Sequence, residues 1–409
     1  MAFSYRNGVL CAEAVPLDDI ARRYGTPCYV YSQGAIESAY GEFARALAGR
    51  DARVCYSVKA NSNLAVLALL AKLGAGFDIV SAGELARVLA AGGEARKTLF
   101  SGVGKTEAEI EIALEAGIGC INLESEAELQ RVHSVARRLG KRAPVAFRVN
   151  PDIDARTHPY ISTGLRQNKF GVAHEEAERL YRDASALPGI ELVGVGCHIG
   201  SMLQDSAPFV AAAQRLLELV ERLERSGIRL RHIDVGGGMG IRYKDEAPQP
   251  PSAFVEGALG ALAKPGRTVI FDPGRSIVGN AGVLLTRVEY VKPRFLVVDA
   301  AMNDLIRPAL YGAWHEVKAV RESASGAAVY DIVGPVCESA DFLAKERRLA
   351  AVQGDLLAIL SCGAYAMVMS SNYNSRPRAA EVLVSGADAR LVRRRESIEE
   401  LFALERPQA

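Results

Sequence analysis

The chain has 409 residues, with 49 Lys plus Arg against 48 Asp plus Glu, and 49% of them are hydrophobic. That length exceeds what a single hydrophobic core usually supports, so two domains are expected, with apolar content enough for both. A formal net charge of +1 makes no electrostatic case for nucleic acid or an anionic membrane surface as partner and leaves small-molecule chemistry as the expectation.

In chain order, Arg6, Glu13, Asp18 and Asp19 come before any long apolar run. A strand-like Cys28–Tyr31 follows, and the sequence is compatible with its packing on either part of the chain. Between Val54 and Arg275, short β-branched and aromatic runs alternate with helical periodicity, which argues βα units around a parallel sheet. The strand candidates are Val54–Ala60, Phe77–Val80, Thr98–Val103, Cys120–Leu123, Val145–Asn150, Leu192–Gly200, His232–Gly236 and Val269–Asp272. Between them, 63–73, 82–91 and 208–227 place apolar residues at helical spacing and end at or near glycine.

Eight such units specify an α/β fold, a closed (β/α)8 TIM-type barrel. An open doubly wound sheet would normally carry a G-x-G-x-x-G turn after an early strand, and none is present. Gly102-Val103-Gly104-Lys105-Thr106 resembles the tail of a phosphate loop, but Leu99 stands where its first glycine belongs. Beyond Gly279 come strand-like runs without alternating helices: Val283–Val291, Arg294–Asp299, Val329–Val333, Asp355–Ile359 and Glu381–Val384. The expected division is a barrel over 31–279 and a mostly β domain, sandwich or Greek-key-like, over 280–409, with segment 1–30 assigned to the latter.

The seven cysteines, Cys11, Cys28, Cys55, Cys120, Cys197, Cys337 and Cys362, are odd in number and include no C-x-x-C pair. They indicate reduced thiols, neither a disulfide framework nor a zinc knuckle. No run approaches the roughly 20 uncharged residues of a membrane span, so a cytoplasmic protein with no membrane partner is expected.

In such a barrel the functional residues sit at the C-terminal ends of the strands. There the sequence places Lys59, Asp78, Arg148 with Asn150, His198 with Ser201, the run Gly236-Gly237-Gly238-Met239-Gly240, and Asp272-Pro273-Gly274-Arg275. A strand-end lysine ordinarily reaches into solvent; a partly desolvated one is a nucleophile that captures aldehydes. The glycines let the backbone turn its N–H groups toward a phosphate, although a ligand-free tight turn has the same composition. His133, His158, His174, His232 and His315 are dispersed, and no second histidine lies at ligand spacing from His198, so no metal is expected. In the β domain, Cys337 and Glu338 share a turn in GPVCES, Tyr365 lies in GAYAM, and Arg307 and Tyr311 lie in DLIRPALY.

Taken together, YSVKANSN (56–63), GFDIVSAGEL (76–85), RVNPDIDARTHPYISTGLRQNKFG (148–171), CHIGS (197–201), DVGGGMGI (234–241), DPGRSIV (272–278), MNDLIRPALYGAWHE (302–316), GPVCESADFLAK (334–345) and SSNYNSRPRAAEVLV (370–384) run through nearly the whole chain. They resemble the fold-type III, alanine-racemase-like pyridoxal-phosphate enzymes, and among them the bacterial diaminopimelate decarboxylases. The resemblance implies that Lys59 holds pyridoxal 5'-phosphate covalently, with His198 stacked on its ring. It implies that Gly238, the backbone of Gly274 and Arg275, and the Tyr365 hydroxyl bind the phosphate. Asp78, Arg148, Ser201 and Asp272 complete the cofactor-binding set.

On the same basis Cys337 donates a proton, Glu338 meets the substrate's distal ammonium, and Arg275, Arg307 and Tyr311 hold its distal carboxylate, with Tyr365 also touching substrate. Cys337 and Glu338 would come from the partner in a homodimer with shared sites. The implied reaction is decarboxylation of meso-diaminopimelate at its D-configured carbon to L-lysine. The alternatives are a decarboxylase of ornithine, lysine or another amino acid on this fold, and a non-catalytic cofactor-binding paralogue. Two departures stand out: Asp272 replaces the family's usual Glu, and Met202 replaces a glutamine that many members carry.

Overall fold

The computed structural model describes residues 2–153, 169–262, 266–322 and 326–405. Positions 154–168 of the Arg148–Gly171 motif, His158 included, lie outside the described residues. The described residues form two compact units, one comprising 40–241 and 247–276, the other 2–39, 242–246 and 277–405.

In the first unit eight parallel strands, counted among the described residues, close into a barrel. They are Ala52–Ser57, Gly76–Ile79, Thr98–Phe100, Cys120–Leu123, Ala143–Asn150, Ile190–Gly196, His232–Asp234 and Thr268–Phe271. Closure is by the last strand on the first, with Val269 opposite Ala52 and Phe271 opposite Val54. Cys55, Leu99, Cys120, Ala146, Val193 and Ile270 pack together in the interior, so the barrel is a filled core whose open chemistry is confined to its ends.

Each expected barrel strand is present; several begin one or two residues earlier than expected, and several stop short at their C-terminal ends. The first ends at Ser57 and not at Ala60, because Ser57 Oγ donates to the Asp272 carbonyl at 2.9 Å and the chain passes into a 3-10 turn, Val58–Ala60. Helices follow quickly because polar caps wait beyond the strands. Asn63 caps Leu64–Lys72, Ser81 caps Ala82–Ala90, Ser125 caps Glu126–Arg138, and Thr106 forms a capping box with Glu109. Each cap contributes about 1 kcal/mol and fixes where the strand-end loop stops.

The second unit is mostly β. The long strand Gly282–Val291 pairs antiparallel with Cys28–Ser32, Phe295–Val298 and Leu356–Ile359. Cys28–Ser32 in turn pairs parallel with Ala380–Ser385, so the early strand lies inside the β sheet. Its core joins Val30, Val283, Leu285, Val382 and Val384 to Leu17 and Ile20 of the helix Leu17–Tyr24. The unit takes residues through Ala39, beyond the boundary expected at 30, because the helix Gln33–Ala46 starts directly from that strand.

Candidate active site

A cavity of about 370 Å³ opens at the C-terminal end of the barrel, and Lys59, Asp78, Arg148, His198 and Asp272 all line it. Lys59 is carried by the 3-10 turn, its side chain 36% exposed, and its Nζ donates to Asp78 Oδ2 at 2.9 Å. Asp78 is buried and held on both sides, lying 3.2 Å from Ser57 Oγ, whose proton it shares with the Asp272 carbonyl, and accepting from Ser101 Oγ at 2.5 Å. Asn122 Nδ2 steadies Ser101 from the next strand at 3.1 Å. The carboxylate is thus fixed before it meets the lysine, and it fixes the amine in turn.

His198 lies two residues past its strand. Burial, then the positive charges of Arg148 and Lys59, hold its pKa well below the usual imidazole range, so it presents a neutral ring. Arg148 lies over the Phe170 ring at 4.7 Å and reaches Glu124 Oε1 at 3.4 Å, while Glu124 Oε2 accepts the Gly171 N–H at 2.6 Å.

Gly236 and Gly238 have φ of +81° and +88°, and a Cβ on Gly238 would fall 2.0 Å from the Gly200 carbonyl oxygen. Glycine is therefore required there both by conformation and by close approach. Asp234 Oδ1 accepts the Gly236 N–H at 3.0 Å and anchors the start of the run. Arg275 donates to Ser201 Oγ at 3.2 Å, joining the loops after the sixth and eighth strands.

Asp272 is buried, and its Oδ1 has no hydrogen-bond partner among the described residues. Burial, then the neighbouring carboxylates Asp234 and Asp78, push it well above the usual carboxylate range. Asp234 is pushed up to about 7, first by burial. An orphaned buried carboxylate oxygen is costly unless a ligand donor satisfies it. A protonated pyridine nitrogen is such a donor, a neutral imidazole face suits a flat heteroaromatic ring, the glycine run suits a phosphate, and Lys59 suits an aldehyde. The residues present fit pyridoxal phosphate.

The remaining expected residues are in the β unit. Arg307 is buried at the start of the short helix Arg307–Tyr311 and stacks over the Tyr243 ring at 4.6 Å. Its Nη1 lies 3.0 Å from His315 Nε2, and His315 Nδ1 lies 2.8 Å from the Leu360 carbonyl. That carbonyl requires Nδ1 to carry the proton, which leaves Nε2 to accept from the guanidinium. Tyr365 takes a left-handed φ of 53°. Cys337 and Glu338 are exposed in their turn, and the other six cysteines are buried. Sequence reasoning gave no role to Ser101, Asn122 and Asp234, which also line the cavity. The rule that found Lys59 would have found the first, since Ser101 directly follows the third strand.

Residues 33–279 match the family model described as the pyridoxal-binding domain of pyridoxal-dependent decarboxylases. The chain is 58% identical over 405 residues to diaminopimelate decarboxylase of Pseudomonas aeruginosa, covering 98% of each chain. It is 54% identical over 409 residues to that of Vibrio cholerae, again covering 98% of each. Among solved structures, diaminopimelate decarboxylase from Helicobacter pylori complexed with L-lysine aligns with a TM-score of 0.92 at 43% identity, over 95% of this chain and 99% of that one. The enzyme from M. jannaschii in co-complex with L-lysine aligns with a TM-score of 0.95 at 36% identity, over 100% and 98%.

Proposed function

Since this chain belongs to the diaminopimelate decarboxylases, within the pyridoxal-dependent decarboxylases, we propose that it removes CO2 from meso-diaminopimelate to give L-lysine, the last step of lysine biosynthesis, and assign its residues as follows. When bound, pyridoxal phosphate supplies an electron sink for the pair left behind as CO2 departs. Lys59 would be its attachment point, with Asp78, which accepts from Nζ, orienting the amine. His198, neutral, would lie against the ring without adding charge to it. Asp272 holds a proton on the ring nitrogen, and the Gly236–Gly240 backbone, with Gly274, Arg275, Ser201 and Tyr365, takes the phosphate.

The substrate carries an ammonium and a carboxylate at each end, so selectivity at the non-reacting end needs both an acid and guanidinium groups. Glu338 is assigned to the distal ammonium, and Arg275, Arg307 and Tyr311 to the distal carboxylate. Lysine and ornithine have no second carboxylate to offer these arginines. Cys337 protonates the carbon that has lost CO2. We assign Cys337 and Glu338 to the neighbouring subunit of a homodimer, in the cytoplasm.

The observation that carries this reading is the barrel cavity, where Lys59 Nζ lies 2.9 Å from a fixed Asp78, beside a neutral His198 and the orphaned Asp272 oxygen. The test is CO2 release from the cofactor-loaded protein given meso-diaminopimelate, L-lysine or L-ornithine separately. Release is expected from the first alone. Inactivity toward it, or equal turnover of ornithine, overturns the assignment.

A further inference from the structure

The proton that replaces CO2 must reach one face of one carbon, so its donor has to be held closely; a misplacement of about 1 Å can cost a hundredfold in rate. Cys337 lies in an exposed turn, which is ordinarily too mobile for such a task. This turn is braced. Buried Asp341 accepts the Val336 N–H at 2.9 Å with one oxygen and the Met302 N–H at 2.6 Å with the other. Within the turn, the Glu338 N–H reaches the Val336 carbonyl at 2.8 Å and the Asp341 N–H reaches that of Glu338 at 3.0 Å.

The loop over 370–378 is tied to the same neighbourhood. The Ser371 N–H donates to the Asn303 carbonyl at 2.9 Å, and Arg376 donates to Asn303 Oδ1 at 3.2 Å and the Asp299 carbonyl at 2.5 Å. Asn372 and Arg378 both donate to Glu396, at 2.7 and 3.0 Å. Between these two anchored loops the Cys337 N–H donates to Asn374 Oδ1 at 2.8 Å. Asn374 takes a left-handed conformation, φ 55° and ψ 30°, and Ser375 follows at φ 53°. Few residues other than glycine adopt it, asparagine more readily than most, and such strain persists where the surroundings over-determine it. Here it aims a carboxamide oxygen at the backbone of the proposed proton donor.

We propose that Asn374 is a positioning residue for Cys337, its carboxamide oxygen fixing the Cys337 backbone and thereby the direction in which the thiol delivers its proton. This rests on the reading of Cys337 as proton donor. In that step the bond between the reacting carbon and its carboxylate breaks and CO2 leaves without the electron pair. The pair forms a C–H bond with the proton from Cys337 Sγ, and solvent reprotonates the thiolate. Without the brace, water competes as donor from either side. The brace lies within one β unit, so it acts on Cys337 whichever subunit's barrel that thiol serves.

Turnover of meso-diaminopimelate by the holoenzyme in D2O provides the test, because the deuteron ends on the ε-carbon of lysine, where its configuration can be read by NMR after derivatisation. Asn374→Gly keeps the left-handed backbone and deletes the acceptor; Asn374→Asp keeps the acceptor. Native enzyme is expected to deliver deuterium in one configuration. Asn374→Gly should lose roughly 10- to 100-fold in kcat, hold KM within about twofold, and give mixed configurations. Asn374→Asp should restore both rate and configuration.

Native rate with one configuration in Asn374→Gly overturns the proposal. So does a fall in kcat with configuration intact, which would mean general loosening, or a loss that Asn374→Asp shares. Cofactor absorbance and thermal unfolding establish that each variant is folded, and Asn374→Ala replaces the glycine variant should it not fold. Cys337→Ala run alongside separates the two failures: native turnover and configuration there would end the proton-donor reading itself. A Cys337→Ala loss beside an unaltered Asn374→Gly would end only the positioning role.

Discussion

Asp272 occupies a position where a longer acid was the expectation, and its surroundings support the ring-nitrogen role proposed for the shorter one. A Cβ on Gly237 would fall 2.4 Å from the Asp272 carbonyl oxygen and 2.6 Å from its Oδ1, so the glycine run presses directly against this carboxylate. With Oδ1 orphaned and burial, then Asp234 and Asp78, raising its affinity for protons, Asp272 gains most from a cationic partner such as a protonated ring nitrogen. Asn at this position keeps the shape and removes the charge. Asp272→Asn should therefore still attach the cofactor through Lys59 but lose roughly a hundredfold or more in decarboxylation rate, as when other preorganised electrostatic partners are removed. Single-turnover CO2 release, measured beside cofactor content, checks this, and an unchanged rate would remove Asp272 from the ring-nitrogen role. The residue identities were legible because strand-end polar residues break an apolar run. What the sequence did not carry is that Asp78 is held by Ser57 and Ser101 from the neighbouring strands, since cross-strand contacts follow from barrel register and not from spacing along the chain.

The barrel strands could be read because each is a short apolar run bounded by turn residues, and the first four lead into helices with side-chain caps. In the β unit the strands Val317–Ala319, Phe342–Leu349 and Asp388–Arg393 escaped notice. Phe342–Leu349 reads FLAKERRL and Asp388–Arg393 reads DARLVR, sequences whose charges suit partly exposed strands and hide the alternation that marks a buried one. The seventh barrel strand carries its own testable consequence. His232, at its start, is buried against Gly194, where a Cβ would fall 2.1 Å from the ring Nε2. Burial, then Arg53 and Arg231, lower its pKa from 6.5 to about 3. The unfolded chain therefore binds a proton in that window and the folded chain does not, so this residue's share of stability falls as pH drops from 6.5 toward 3, by at most about 1.4 kcal/mol per pH unit. Asp234 on the same strand works in the opposite sense. With its pKa raised to about 7, it binds a proton in the folded state that the unfolded chain still lacks above the ordinary carboxylate range, so it favours folding as pH falls through that value. His232→Gln removes only the first contribution. At pH 5 it should lower proton uptake on unfolding by about one, read by potentiometric titration of folded and urea-unfolded protein, and unchanged uptake would mean the ring is already charged in the fold.

Across the whole chain, the residues assigned to a single substrate are divided between the two compact units, Lys59, His198 and Asp272 in one, Arg307, Cys337 and Glu338 in the other. Cys337 is the exposed cysteine of the seven, while burial pushes the Cys28 and Cys362 thiols up to about 12. A thiol and a carboxylate held rigidly at a surface turn are suited to complete a site on another copy of the chain, which is what the proposed homodimer requires. That arrangement has a numerical signature. Lys59→Ala and Cys337→Ala should each be nearly inactive alone. In a mixed dimer built from one chain of each, one of the two sites draws its lysine from the cysteine variant and its thiol from the lysine variant, and is native at both positions; the other lacks both. With free subunit exchange half the dimers are mixed and half their sites are competent, so an equal mixture should recover about one quarter of native CO2 release per chain. If Lys59 and Cys337 instead met within one chain, no combination of these subunits would hold a complete site, and mixing would recover nothing once exchange had been verified by mass.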